Sequence, residues 1–218
     1  PEDLIIDIQK TDLNCYNSNN GTITVTPTGG VAPYSYTWSD NGNGNVRTGL
    51  RADRYTVTIT DSNGCEEIRT VEIENAELFD VNPVVKPISC FGANDGSIEM
   101  NFVGGVSPIT FKWNDDSTAG QNRYNLSPGT YSVLITDASG CEIQRDFTII
   151  EPQELTIAGL ITDAIDCDNP ASGSIDLQIS GGNPPYTFQW SNGATTEDVS
   201  GLLANNYSVI VTDSKGCT

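Results

Sequence analysis

One eleven-residue segment occurs three times in this chain and ends each time in a cysteine. The copies are YTVTITDSNGC (Tyr55 to Cys65), YSVLITDASGC (Tyr131 to Cys141) and YSVIVTDSKGC (Tyr207 to Cys217). Within each copy apolar and polar residues alternate, which is the pattern of a β-strand that buries one face. A catalytic site is seldom needed in triplicate, whereas a strand must be rebuilt in every module of a tandem array. The chain is therefore expected to consist of repeated β modules.

Other positions recur with the same spacing and define the extent of each copy. An opening cysteine and a tryptophan each occur three times, as Cys15, Cys90 and Cys167 and as Trp38, Trp113 and Trp190. We predict three repeats, at residues 1–75, 76–152 and 153–218. In the first two repeats a further strand follows the closing cysteine, with the sequences EEIRTVEIEN and EIQRDFTIIEP. The third copy stops before this strand, so we expect sequence beyond Thr218 to supply it.

The strand pattern predicts an all-β fold of tandem immunoglobulin-like β-sandwich modules. Each copy has about six or seven short strands, a tryptophan on a central strand, and turns every 8–12 residues or so. Alternation places Tyr55, Val57 and Ile59 on one buried face, and it places the tryptophans in the core. Almost no linker separates the copies, so we expect modules arranged end to end as a rod. A left-handed backbone is predicted two residues before each repeated tyrosine, at Asp53, Gly129 and Asn205.

Six cysteines, two in each copy, predict disulfide bonds and therefore an extracellular location. Six cysteines can pair in 15 ways. The separation within a copy is 50, 51 and 50 residues, and this regularity favours one bond inside each repeat. The predicted pairs are Cys15–Cys65, Cys90–Cys141 and Cys167–Cys217. Reduced, buried thiols are the first alternative, and a metal site is the second, although the sequence has no Cys-x-x-Cys motif.

Charge and composition argue against several classes of function. With 29 acidic and 10 basic residues, the net charge of −19 would repel nucleic acid and anionic lipid. The sequence has no histidine, which excludes serine–histidine and cysteine–histidine catalysis and an imidazole zinc site. It also has no apolar run of membrane-spanning length and no signal peptide, so we expect a piece of a longer protein without direct membrane insertion. We predict that the chain is not an enzyme and has no cofactor apart from a candidate calcium ion.

Three aspartates are the candidate calcium ligands. Asp61, Asp137 and Asp213 begin the turn after each repeated strand, in the Asp-x-x-Gly order of a type I turn. Calcium binds carboxylates and turn carbonyls, but an aspartate at this position also bonds the backbone without any metal. The adjacent acidic pairs Glu66–Glu67 and Asp115–Asp116 are predicted to be solvated, because neighbouring strand residues face opposite ways and make a poor acid/base couple.

The combination of these motifs resembles the SprB repeat family. The shared pattern is Cys-x5-Gly-[ST]-Ile, then Gly-Gly-x2-Pro-[YI]-x3-Trp, then Leu-x4-Tyr-[ST]-Val-x-[IV]-Thr-Asp-x2-Gly-Cys. The resemblance covers nearly the whole chain, and the closing strand is also weakly similar to PKD domains. It implies a long filament of a giant cell-surface adhesin in gliding Bacteroidetes, exported by the type IX secretion system. In that setting Asp116-Ser117-Thr118 resembles a short O-glycosylation motif, which makes Ser117 a candidate glycosylation site.

We therefore expect a non-enzymatic stalk or filament segment of a secreted adhesin on a bacterial cell surface. Its expected partners are neighbouring repeats of the same long chain, with surface polysaccharide or other cell-surface proteins as binding targets. The alternative is a spacer or carbohydrate-binding region of a secreted polysaccharide-degrading enzyme. An exposed aromatic platform would favour that alternative. The variable loops, Asn41 to Thr48, Asp115 to Arg123 and Asn192 to Val199, contain no aromatic residue.

Overall fold

The computed structural model describes residues 2–116, 119–163 and 171–218, and within those ranges it contains strands and turns without a helix. The strands are β1 (Ile5–Thr11), β2 (Gly21–Thr28), β3 (Ser35–Trp38), β4 (Val46–Leu50), β5 (Asp53–Thr60), β6 (Glu66–Ile73), β7 (Asp80–Lys86), β8 (Gly96–Val103), β9 (Thr110–Trp113), β10 (Arg123–Leu126), β11 (Gly129–Thr136), β12 (Glu142–Ile149), β13 (Thr156–Thr162), β14 (Gly173–Ser180), β15 (Thr187–Trp190), β16 (Val199–Leu202) and β17 (Val209–Thr212). The described part of the chain accordingly offers no apolar helix that could cross a membrane. The prediction of an all-β fold is confirmed for these residues.

The chain forms two compact units. The first contains Pro1–Asn82, Asn101–Lys112 and Leu134–Gln144, and the second contains Pro83–Met100, Trp113–Val133 and Arg145–Thr218. The first predicted repeat lies wholly in the first unit and the third lies wholly in the second, whereas the second contributes residues to both. The repeat boundaries after residues 75 and 152 remain predictions from the sequence.

The first repeat folds as two three-stranded antiparallel sheets around a shared core. One sheet has the order β1-β2-β4 and the other has the order β3-β5-β6. This is the strand order of an immunoglobulin-like sandwich without its fourth strand. Alternate residues of β2 and β5, namely Ile23, Val25, Val57 and Ile59, are completely buried in the core. The predicted inward face of β5 is therefore confirmed, and the polar threonines between these residues lie on the outer face.

The same strand order recurs along the chain. Strands β7, β8 and β10 form one sheet and β9, β11 and β12 form another, which repeats the topology of the first six strands. The third repeat has a three-stranded sheet of β13, β14 and β16 and a two-stranded sheet of β15 and β17. The sequence motifs recur because each of them builds the equivalent strand of an immunoglobulin-like sandwich.

Two aromatic side chains of each repeat are fixed by hydrogen bonds to the backbone. The tryptophan that ends the third strand is buried, and its indole nitrogen donates to a loop carbonyl, at 2.9 Å for Trp38. The hydroxyl of Tyr55 donates to the carbonyl oxygen of Arg51 at 3.1 Å, and Tyr131 and Tyr207 donate across the same four-residue step. This tyrosine corner is typical of immunoglobulin-like sandwiches. The predicted core role of the tryptophans is confirmed, and a buried indole cannot stack on a sugar.

The left-handed residue before each tyrosine lies four positions earlier than predicted. Of the three predicted positions only Gly129 has a positive φ, of 156°, and Asp53 instead begins strand β5. Left-handed backbone occurs six residues before each tyrosine, at Gly49 (φ 70°), Asn125 (φ 55°) and Gly201 (φ 69°). At each of these points the pairing with the second strand shifts register. A bulge adds one residue to the strand there, and a glycine or asparagine accommodates it without strain.

Among the described residues, the last sheet of the third repeat has one strand fewer than its counterparts, as the sequence predicted. In the first repeat β6 pairs along the whole of β5 and places Ile73 against Gly21. In the second repeat Ile149 lies against the equivalent Gly96. The equivalent Gly173 of the third repeat instead lines a pocket of about 490 Å³. A second groove of about 330 Å³ follows β17, with an apolar lining that includes Leu155.

Adding the missing strand should stabilise the third repeat. We expect a chain extended after Thr218 by IQRDFTII, a copy of residues 143–150, to unfold at a higher temperature, since Thr218 already occupies the position of Glu142. The copied strand pairs the edge of β17, and its isoleucine fills the pocket beside Gly173, which contributes about 2 kcal/mol. Thermal unfolding and amide hydrogen exchange of β17 measure the gain. The control is the same extension with aspartate in place of the isoleucine equivalent to Ile149, and equal gains from both extensions would contradict the assignment of this pocket.

Candidate functional site: the disulfide junctions

Two disulfides join successive repeats. Cys15 is bonded to Cys141 and Cys90 is bonded to Cys217, with Cα–Cα distances of 5.5 Å and 5.6 Å. Each bond connects the opening cysteine of one repeat to the closing cysteine of the next. The predicted pairs Cys15–Cys65 and Cys90–Cys141 are therefore wrong, and Cys65 is an exposed free thiol. The prediction for Cys217 as a partner of Cys167 is also wrong, whereas Cys167 itself lies outside the described residues.

The first repeat places its two cysteines at opposite ends of the sandwich. Cys15 lies near the start of β5. Gly21, which follows it in sequence, pairs with Leu50 and contacts Ile73, and Ile73 pairs with the first residue of β5. Cys65 lies near the end of β5, because it belongs to the turn that begins at Asp61, directly after this strand. The carboxylate of Asp61 accepts a hydrogen bond from the N–H of Val31, just beyond the end of β2. Strand β5 has eight residues, which is a length of about 25 Å. A disulfide needs Cα atoms within about 7 Å, so a bond inside the repeat cannot form.

The two junctions share their local geometry. The Sγ atom of Cys141 lies 3.2 Å from the carbonyl oxygen of Asn14, and the Sγ atom of Cys217 lies 3.4 Å from the carbonyl oxygen of Ser89. Asn14 and Ser89 each immediately precede the opening cysteine of their repeat. At the first junction the side-chain amide of Asn14 also donates to the carbonyl oxygen of Ser139 at 3.2 Å. The closing turn of one repeat therefore contacts the backbone that leads into the opening cysteine of the other.

An aspartate-centred turn presents each closing cysteine. In the first repeat, Oδ1 of Asp61 accepts hydrogen bonds from the backbone N–H groups of Asn63 and Cys65, both at 2.9 Å. Oδ2 accepts from the N–H of Val31 at 3.0 Å, and the N–H of Gly64 donates to the Asp61 carbonyl. The predicted type I turn is therefore present. Asp137 and Asp213 make the corresponding bonds in their own repeats.

These hydrogen bonds lower the pKa of all three turn aspartates. For Asp61 the N–H of Cys65 has the largest effect on the pKa, and the N–H groups of Val31 and Asn63 add to it. For Asp137 and Asp213, desolvation on its own would raise the pKa, but the combined backbone donors outweigh it and lower the pKa below its ordinary value. Each carboxylate is therefore held in its charged form by amide groups and needs no cation.

The arrangement favours the structural role of these aspartates over calcium binding. Both carboxylate oxygens of each turn point at N–H donors, whose positive hydrogens repel a cation. Within the described residues no cluster of three or more His, Cys, Asp or Glu side chains could hold a metal ion. Ser117, the candidate glycosylation site, lies outside the described residues.

Stability should fall when the turn aspartates are protonated. Their folded-state pKa lies below the ordinary 3.8, so they stabilise the fold above that pH, and the contribution is lost as the pH falls through the folded-state value. We expect a steady melting temperature from pH 7 to about pH 5 and a decline below about pH 4. The Asp137→Asn variant keeps one acceptor but no charge, so it should be less stable at pH 7 and lose less stability in acid. Parallel pH curves for the two proteins would contradict this role.

An arginine covers the buried tryptophan in the first two repeats, which the sequence analysis did not foresee. Arg47 lies over Trp38 at 5.1 Å from the ring centroid and pairs with Asp40, which lowers the pKa of that carboxyl to about 2. Arg123 lies over Trp113 in the same way and pairs with Asp115. Asp115 is exposed, as predicted, and the ion pair with Arg123 is an additional feature. In both repeats an aspartate occurs two positions after the tryptophan, and an arginine occurs later, towards the end of the variable loop. This recurrence is the signal that could have revealed these pairs.

Comparison with known proteins identifies the class of the chain. The family model for the SprB repeat matches three times, at residues 8–43, 82–118 and 161–195. The chain is therefore an array of SprB repeats and belongs to that repeat family, as the motif pattern indicated. No curated protein matches the sequence significantly.

Two solved structures are similar to the chain in fold. One contains three N-terminal domains of the Highly Immunogenic Outer Capsid protein (Hoc) of bacteriophage RB49, at 15% identity and a TM-score of 0.46. The match covers 98% of this chain and 85% of that one. The other contains extracellular domains 3–5 of Drosophila OTK, at 13% identity and a TM-score of 0.29, with 99% of this chain and 95% of that one covered. At these scores neither structure indicates how the repeats are arranged.

Proposed function

We propose that the chain is a stalk segment of a large secreted adhesin, held outside the bacterial cell. The observation that carries the proposal is the bonding of each opening cysteine to the closing cysteine of the next repeat. Disulfides persist in oxidising, extracellular surroundings. A module of about 75 residues buries a modest share of its surface and is marginally stable alone, so bonds between modules reinforce the array. SprB repeats and disulfides together support a cell-surface repeat protein without a catalytic role.

The finer part of the proposal concerns the whole protein. The stalk would carry a distal binding region that attaches to surface polysaccharide or to other cell-surface proteins. Export through the type IX secretion system and a part in gliding motility follow from the SprB resemblance alone. The net charge of −19 supports a partner other than nucleic acid or anionic lipid.

The alternative is a spacer or carbohydrate-binding region of a secreted polysaccharide-degrading enzyme. Sugar binding usually needs an exposed aromatic face. The three tryptophans of this chain are buried, with exposed fractions of 2–4%, and the variable loops beside them contain no aromatic residue. These observations argue against sugar binding by the tryptophans or by the variable loops; the exposed aromatic side chains, Tyr16, Phe91 and Tyr124, lie outside both sets.

Labelling of intact cells tests the proposal. Antibodies raised against the purified chain should decorate unpermeabilised cells of the source bacterium, and brief treatment with external protease should remove the label. A periplasmic marker that stays unlabelled and protected is the control for cell integrity. Labelling that appears only after permeabilisation would overturn the proposal. Retention of the purified chain on immobilised polysaccharides, which the stalk does not require, would favour the alternative.

A further inference from the structure

We propose that Cys65 is the attachment point for the opening cysteine of a further repeat, through a disulfide like the two in the structure. This inference goes beyond the proposed function, because it rests on the disulfide pattern alone. Cys141 and Cys217, the closing cysteines of the second and third repeats, are each bonded to the opening cysteine of the repeat before them. Cys65 is the closing cysteine of the first repeat and is a free thiol.

The backbone presents Cys65 in the same way as the two bonded cysteines. Its N–H donates to Oδ1 of Asp61 at 2.9 Å, and the N–H groups of Cys141 and Cys217 donate to their own turn aspartates at the same distance. The carbonyl oxygen of each closing cysteine accepts the N–H of that aspartate at 2.9–3.0 Å. Cys65 therefore occupies the position in which the equivalent cysteines hold a partner. The difference is its exposure, since Cys141 is buried in its junction.

The two existing junctions define the chemistry of the partner. In both of them the sulfur of the closing cysteine contacts the carbonyl oxygen of the residue that precedes the opening cysteine. The opening cysteine itself comes shortly after the first strand of its repeat and begins the pattern Cys-x5-Gly-[ST]-Ile. The ligand of Cys65 is thus a thiol in an opening segment of this type. It can come from a repeat placed N-terminal to the first one or from a second copy of the chain.

The bond forms by oxidation of two thiols. Cys65 and the opening cysteine each give up one proton and one electron. A small or protein disulfide accepts both electrons and both protons and is reduced to two thiols. Exchange proceeds through a mixed disulfide, which the second thiolate displaces. Oxidised glutathione can act as this oxidant in vitro.

A chain with one more repeat tests the proposal. The full chain is extended at its N-terminus by a copy of residues 76–152, folded with reduced and oxidised glutathione, and digested without reduction for mass spectrometry. We expect loss of the free thiol at Cys65 and a peptide that joins Cys65 to the copied Cys90. The Cys15–Cys141 and Cys90–Cys217 peptides must be present, since they show that the extended chain has folded. The matched control carries serine at the copied Cys90, and in it Cys65 should remain a free thiol.

The unextended chain separates the two sources of the partner. Oxidation at high concentration should give covalent multimers if a second copy can supply the opening cysteine, and Cys65→Ser should abolish them. If the unextended chain stays monomeric and the extended chain forms the new bond at Cys65, the partner of Cys65 is the opening cysteine of a preceding repeat. The proposal is overturned if Cys65 stays free in a correctly folded extended chain. It is also overturned if Cys65 is found joined only to glutathione or to a second Cys65.

Discussion

When the chain is pulled by its two ends until it is fully unfolded, its maximum extension should be about 220 Å in the oxidised form and about 740 Å in the reduced form. In the oxidised chain the shortest covalent path runs from the N-terminus to Cys15, across to Cys141, back along the backbone to Cys90, and across to Cys217. That path contains only about 66 residues of the 218, at about 3.4 Å per residue. Single-molecule force spectroscopy with and without reducing agent measures the difference.

Cysteine variants make this measurement specific for the pairing. Cys141→Ser removes one bond, but the path through Cys90 and Cys217 remains, so the limit should rise by only about 80 Å. Cys65→Ser should change nothing, because Cys65 is a free thiol. A bond inside the first repeat would instead be lost in Cys65→Ser, and the limit would then rise by about 170 Å. A rise of that size would contradict the junctions described above.

Much of the fold follows from the sequence because strands bury alternate residues. The period of two is sufficient to locate β5, β11 and β17 and to place the tryptophans in the core. The turn aspartates were also predicted, since Asp-x-x-Gly specifies a local hydrogen-bond pattern. The third donor to Asp61, the N–H of Val31, lies 30 residues away. A contact of that kind depends on how the two sheets face each other, which local patterns do not encode.

The disulfide pairing could not be predicted because the spacing is compatible with both solutions. Bonds inside repeats span about 50 residues, and the observed bonds span 126 and 127 residues, which is one repeat period more. Strand direction decides between them. Strands β2 and β5 run from the Cys15 end of the sandwich to the Cys65 end. Strand β3 is antiparallel to β5 and strand β4 is antiparallel to β2, so β3 and β4 both run in the opposite direction. The variable loop that joins β3 to β4 brings the chain back to the Cys65 end without forming a strand. Strand β5 then crosses the sandwich once more, and Cys65 lies at the end opposite to Cys15.

A single backbone cut between the first and second repeats should leave the chain covalently intact. Because the two disulfide loops overlap, three peptide segments connect the Cys15–Cys141 junction to the Cys90–Cys217 junction. Cutting any one of them leaves the other two. A protease recognition sequence inserted between Ala76 and Glu77, in the loop after β6, provides the cut. After complete cleavage we expect one species of full mass on a non-reducing gel and two fragments after reduction.

Two variants decide which bond holds the cut chain together. With Cys141→Ser the fragments should separate without reductant, because the Cys15–Cys141 bond is the one that crosses the cut. With Cys65→Ser the fragments should stay joined, whereas pairing inside each repeat would release them in every version of the protein. A filament built in this way keeps its two ends connected after one proteolytic cut, whereas modules stapled one by one would part at every linker. Separation of the unmodified cut chain without reductant would show that the repeats are not bonded to each other.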